Sequence, residues 1–147
     1  HNPAARGIYR KIRAAVIGGE LIVSHVHFGE QWNVHRERDE VKLHYVNEQK
    51  AVVAFADQVL SNPINALGKP ALLALEAIKK RISLDLYGID FDLLPDGRVL
   101  FFEANASMSI SFFGLPGRQN VREKMRDALD RLFIRKSQNA VAEGRSS

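Results

Sequence analysis

Between Leu86 and Asn105 the chain runs through strand-forming residues, breaks at Pro95-Asp96-Gly97 and resumes. An Asp-Gly pair between two such runs is among the strongest short signals for a β-hairpin. Taking Asp96-Gly97 as a two-residue turn sets Pro95 beside Arg98, and the register then continues to Asp90 opposite Glu103 and Gly88 opposite Asn105. Because strand side chains alternate between faces, Asp90, Glu103 and Asn105 share one face. Ile89, Phe91, Leu93, Leu100, Phe102 and Ala104 make the other, an apolar surface suited to packing on helices.

A second hairpin is written near the start. From Ile8 to Ile17 the residues alternate, with Ile12, Ala14 and Val16 on one side and Tyr9, Lys11 and Arg13 on the other. Gly18-Gly19 can take positive φ at both turn positions, and Leu21 to Phe28 is again rich in strand formers. Helical spacing marks Asn47 to Leu60 and Pro70 to Ile82, separated by Ser61-Asn62-Pro63, and a last helix near Asn120 to Ile134 with Val121, Met125, Leu129 and Leu132 on one stripe. The order predicts an α+β domain, an antiparallel sheet with helices packed on one face, over residues 1–135. The polar stretch 136–147 reads as a disordered tail. The segment Gln31 to Val41 is polar and charged around Trp32, and reads as an excursion placed for function.

Directly opposed carboxylates repel unless a cation lies between them. Carboxylate and amide oxygens suit hard Mg²⁺, an ion that keeps several waters and shares substrate phosphates. Spacing alone equally allows Asp90 at a solvated edge and Glu103 paired with a lysine or arginine. Asp92 lies two residues from Asp90 and reads as a surface or hydrogen-bonded aspartate.

Gly88-Ile89-Asp90, followed after a gap by Phe101-Phe102-Glu103-Ala104-Asn105-Ala106-Ser107, resembles the signature of the ATP-grasp superfamily, which includes D-alanine:D-alanine ligases, glutathione synthetases and ribosomal-protein glutamate ligases. The resemblance covers roughly Ile8 to Leu132 and corresponds to the C-terminal part of an ATP-grasp domain, the lobe with the nucleotide-covering lysines being missing. It implies an ATP-dependent carboxylate–amine ligase that works through an acyl phosphate, with ATP and two Mg²⁺ ions, or Mn²⁺ in their place, as cofactors. Asp90 and Glu103 would hold one ion and Glu103 and Asn105 the other, while Phe102 would lie under the adenine. Lys11-Ile12-Arg13-Ala14 resembles the family's strand in which an arginine meets phosphate or the activated acyl group, which makes Arg13 catalytic and Lys11 a phosphate contact. Trp32-Asn33-Val34-His35-Arg36 resembles the stretch where an asparagine and an arginine approach the γ-phosphate, here Asn33 and Arg36. The chain departs from the pattern at Ser107-Met108, where the family has proline, so the substrate-side loop has no counterpart to copy. The acid and amine partners would be an amino acid or a peptide. A non-catalytic nucleotide- or metal-binding module is the alternative.

The chain opens at His1 and Asn2-Pro3, which reads as a piece of something longer that would turn over only in its full context. At 147 residues and 46% hydrophobic content it can bury one core, and no apolar run approaches the roughly 20 residues of a membrane span. The absence of cysteine excludes disulfides and thiolate zinc sites and agrees with a cytoplasmic setting. The net charge of +4 suits nucleic acid, an anionic membrane surface or phosphorylated small molecules alike, and its sign does not choose among them; the charges are dispersed and no basic-aromatic motif points to nucleic acid. His25 and His27 alternate on one strand face without a third ligand nearby and read as structural or surface residues. Phe112 to Gly117 reads as an apolar packing loop.

Overall fold

A computed structural model describes residues 9–29, 50–107 and 119–144. Asn33, Arg36, Trp32, His35 and the Phe112–Gly117 loop lie outside the described residues. Within them the order is β1 (Tyr9–Ile17), β2 (Glu20–Gly29), α1 (Lys50–Ser61), α2 (Pro63–Lys79), β3 (Leu86–Leu93), β4 (Val99–Asn105) and α3 (Gln119–Gly144). The four strands form one antiparallel sheet in the order β2-β1-β3-β4, so the domain is α+β as the sequence order predicts.

Gly18 and Gly19 both take positive φ, 59° and 90°, and close β1 on β2 with Ile17 opposite Glu20. The second hairpin is built differently from the two-residue turn expected of it. Gly97 N–H donates to Leu94 O and Leu94 pairs with Arg98, leaving a three-residue loop of Pro95, Asp96 and Gly97 with Gly97 at φ 81°. That loop displaces the register by one, and a bulge between Asp90 and Phe91 displaces it back. Asp90 therefore meets Glu103 as expected, but Phe91 meets Phe101 and Leu93 meets Val99. Val99, rather than Leu100, joins the apolar surface.

The helices expected on one face are divided between two. Ile12, Ala14 and Val16 of β1, with Ile89 and Phe91 of β3, pack on Val59 of α1 and Leu67, Ala71 and Leu75 of α2. The opposite face packs Ala15 and Ile17 on Val121, Met125, Ala128 and Leu132 of α3. The reason lies in β1, whose core residues run unbroken from Ala14 to Ile17, so both pleat faces there are apolar and each requires a cover.

Asn62 caps α2 by accepting from Asn65 N–H, and Pro63 follows at the first helical position. Gly68, at φ 78° and ψ 159°, interrupts α2 and lets it restart at the Pro70 that the sequence marks as a helix opening. Where a disordered tail is expected from Lys136, α3 continues to Gly144. Its stretch 136–143 holds good helix formers and no proline, and these residues are exposed. Arg131 grips Glu20 with two contacts of 2.7 Å, Arg135 donates to Gly18 O, and Lys136 meets Asp85 at 2.6 Å. These tie the middle of α3 to the turn end of the sheet.

Candidate functional site

The sheet face that carries α3 changes character along β1. Ile17 and Ala15 are buried under the helix, and the next residues on that face are Arg13 and Lys11. Register then assembles a row across all four strands. Arg13 lies opposite His25 on β2 and opposite Asp90 on β3, and Asp90 lies opposite Glu103 on β4. Lys11 lies opposite His27, and Asn105 opposite Gly88.

Asp90 is 1% exposed. Arg13 Nε donates to its Oδ1 at 2.6 Å and Arg13 Nη2 to its Oδ2 at 2.7 Å, a two-pronged contact, and Lys11 Nζ stands 3.3 Å from Oδ2. Burial pushes the Asp90 carboxyl up, but the Arg13 hydrogen bonds and charge together with Lys11 outweigh it, and Asp90 sits below the ordinary aspartate range. Arg13 is held above its ordinary value chiefly by the hydrogen bond to Asp90, against the opposing effect of its own burial.

Glu103 and Asn105 are exposed. Among the described residues no lysine or arginine forms a salt bridge with Glu103. Asn105 Oδ1 accepts from Ser107 N–H at 2.8 Å, which turns the chain at the end of β4. Phe102 is the bulged residue of β4 and is half-buried.

Asp92 is paired rather than surface-exposed. Arg10 Nε donates to Asp92 Oδ1 at 2.5 Å, Arg10 Nη2 donates to Leu93 O, and the guanidinium lies 4.2 Å over the Phe55 ring of α1. Here burial wins, and the Asp92 carboxyl is pushed above its ordinary value despite Arg10 and the Leu93 N–H.

The structure thus brings Lys11, Arg13, Asp90, Glu103 and Asn105 to one face, and sequence reasoning missed the clamp that links the first two to the third. A fit for Mg²⁺ can be judged on the donors. A carboxylate offers roughly four acceptor positions, and Arg13 and Lys11 engage three at Asp90, leaving space for about one more contact. Glu103 and Asn105 supply hard oxygens at the solvent edge, so a hydrated ion suits them, with Asp90 as a neighbour shared with Arg13. Among the described residues, no group of three or more His, Asp or Glu side chains gathers to hold a metal. Nor is any described helix long and apolar enough to cross a membrane.

Compared with known proteins, the chain matches no family model, no curated protein and no solved structure.

Proposed function

We propose that this chain supplies the metal- and phosphate-binding half of an ATP-dependent carboxylate–amine ligase acting in the cytoplasm. The supporting observation is Glu103, set directly opposite Asp90 and without a salt-bridge cation among the described residues, on the same face as Arg13, Lys11 and Asn105. In such an enzyme a carboxylate oxygen attacks the γ-phosphorus of ATP, the bond to the bridging oxygen breaks and ADP leaves. An amine then attacks the acyl carbon and expels phosphate. Magnesium, when bound, neutralises phosphate charge. Glu103 and Asn105 would hold it, with Asp90 beside them.

Arg13 and Lys11 would meet the equatorial phosphoryl oxygens, where negative charge must be balanced during transfer. Their contact with Asp90 orients both cations before a ligand arrives. The amino acid or peptide nature of the substrates rests on the family resemblance.

The test is ATP hydrolysis by the full-length protein with Mg²⁺ and a panel of carboxylates. Stimulation by a carboxylate, lost in Glu103→Gln, supports the ligase. Tight nucleotide binding without hydrolysis supports a non-catalytic module, a reading favoured by the near-saturation of Asp90 by the protein's own cations.

A further inference from the structure

We propose that this site takes one divalent ion, on Glu103 and Asn105, and that Lys11 and Arg13, held by Asp90, stand in the place of a second. The inference rests on the ligase reading for its ligands. It departs from the two-ion site that the family resemblance implies, in which Asp90 is itself a metal ligand.

Asp90 and Glu103 face each other across β3 and β4 but differ in access to water. Asp90 is 1% exposed, whereas Glu103 and Asn105 are exposed. Magnesium dehydrates reluctantly and keeps several waters when bound. Glu103 and Asn105 can therefore take an ion together with its water, and Asp90 offers no open side for such a shell. Both Asp90 oxygens are also engaged, by Arg13 at 2.6 and 2.7 Å and by Lys11 Nζ at 3.3 Å. An ion at the remaining position would share one carboxylate with two cations, and like charges so close in a site shielded from water repel strongly. Releasing the carboxylate instead would strip Arg13 and Lys11 of their counter-ion. No other acid is at hand. Asp92, two residues along β3, is 2% exposed and meets Arg10, and among the described residues no group of three or more His, Asp or Glu side chains gathers.

The two side-chain cations make up the missing charge. A lysine and an arginine carry one positive charge each, together as many as a magnesium ion. Arg13 spends two N–H groups on Asp90 and Lys11 one, out of roughly five and three, and among the described residues no other contact uses the rest. Two irregularities in the sheet set this arrangement. A bulge between Arg13 and Ala14 inserts Ser24 into β2, and the buried Ser24 hydroxyl donates to Arg13 O. The second is the bulge in β4. Continued from Leu94 opposite Arg98, that register would set Glu103 opposite Ile89 in the core; the slip sets it opposite Asp90. Both slips fall at the row of Arg13, Asp90 and Glu103, and bulges beside sites re-aim side chains in this way. The row thus runs from a cation pair through a buried counter-ion to an exposed acid. Phosphoryl oxygens would be met by side chains at one end and by an ion at the other.

The test is a Mg²⁺ titration of the 147-residue chain, followed by NMR of the side-chain carboxyl carbons and of the Arg13 Nε–H. The Glu103 carboxyl and the Asn105 side-chain amide are expected to move together and saturate at one ion per chain, while the Asp90 carboxyl and Arg13 Nε–H keep their positions. A second titration, with inorganic diphosphate at saturating Mg²⁺, is expected to move the Lys11 and Arg13 side-chain signals, with affinity about tenfold weaker in Lys11→Met. An Asp90 carboxyl that moves with Glu103, a second ion bound in the presence of diphosphate, or an unchanged diphosphate affinity in a folded Lys11→Met variant overturns this inference and leaves the ligase reading standing. A Glu103 carboxyl that does not move saturably removes the metal site itself, and the ligase reading with it.

Discussion

Asp90 and Asp92 stand two residues apart on β3, are 1% and 2% exposed, and each meets an arginine of β1. Their surroundings drive them in opposite directions. Asp90 receives both prongs of Arg13 and the charge of Lys11, enough to overcome burial. Asp92 receives one nitrogen of Arg10, whose second goes to Leu93 O while its flat face rests on Phe55. Burial alone therefore does not decide ionisation; the number and geometry of donors does. The Asp90 end is an ion pair built to stay charged at a solvent-reaching face, and the Asp92 end fastens the sheet to α1.

Removing each arginine is the harshest way to test this distinction. Arg13→Met leaves a buried, ionised Asp90 with only Lys11 near it, and unfolding free energy should drop by about 3 kcal/mol, the low end for an orphaned buried charge. Arg10→Met should cost less, about 1.5 kcal/mol, because Asp92 can take up a proton in place of the lost pairing, the other losses being the cation–π contact and the hydrogen bond to Leu93 O. Urea denaturation of both variants measures the order. An equal or reversed order would end the distinction between the two pairs.

Acid titration sharpens it. With its folded-state value lowered, Asp90 contributes stability that is present above the unfolded aspartate range, about pH 4, and lost as pH falls through the lower folded value. Asp92 has the opposite sign: its raised folded value means that stability declines as pH rises from about 4 through that value. Asp92→Asn should flatten the curve above about pH 4 and leave the acid loss in place. Asp90→Asn should remove much of the acid loss. Denaturation midpoints between about pH 2 and 7 read both effects.

The hairpins were legible because their signals are local. Gly18-Gly19 gives the turn at once, whereas Asp96-Gly97 marks the place but not the loop length, and the resulting one-residue error is undone by the β4 bulge. The opposition of Asp90 and Glu103 was therefore read correctly through a register that is wrong between Phe91 and Leu94. Neither bulge announces itself, since Ser24 and Phe102 are unremarkable strand residues whose insertion is set by which side chains must face the core. The Arg13–Asp90 clamp depends on β1 pairing with β3, a contact across 77 positions that no short window contains. The division of helices between two faces was readable in principle from the continuous apolar run Ala14 to Ile17, which alternation at Ile12, Ala14 and Val16 obscured.

The smallest expected effect on stability belongs to the residue on which the functional reading depends most. Glu103 is exposed, has no salt-bridge cation among the described residues, and faces the buried negative charge of Asp90 across the strand pair. Glu103→Gln removes a like-charge opposition at nearly constant shape, so folding should change by only some tenths of a kcal/mol, in the stabilising direction. If Glu103 instead owed its place to an unseen structural role, the variant would destabilise the fold measurably. A neutral or slightly stabilised variant that loses carboxylate-stimulated ATP hydrolysis would mark a position whose charge serves the ligand rather than the fold. Destabilisation of more than about 1 kcal/mol would return Glu103 to an architectural role and remove the best support for metal and phosphate binding at this face.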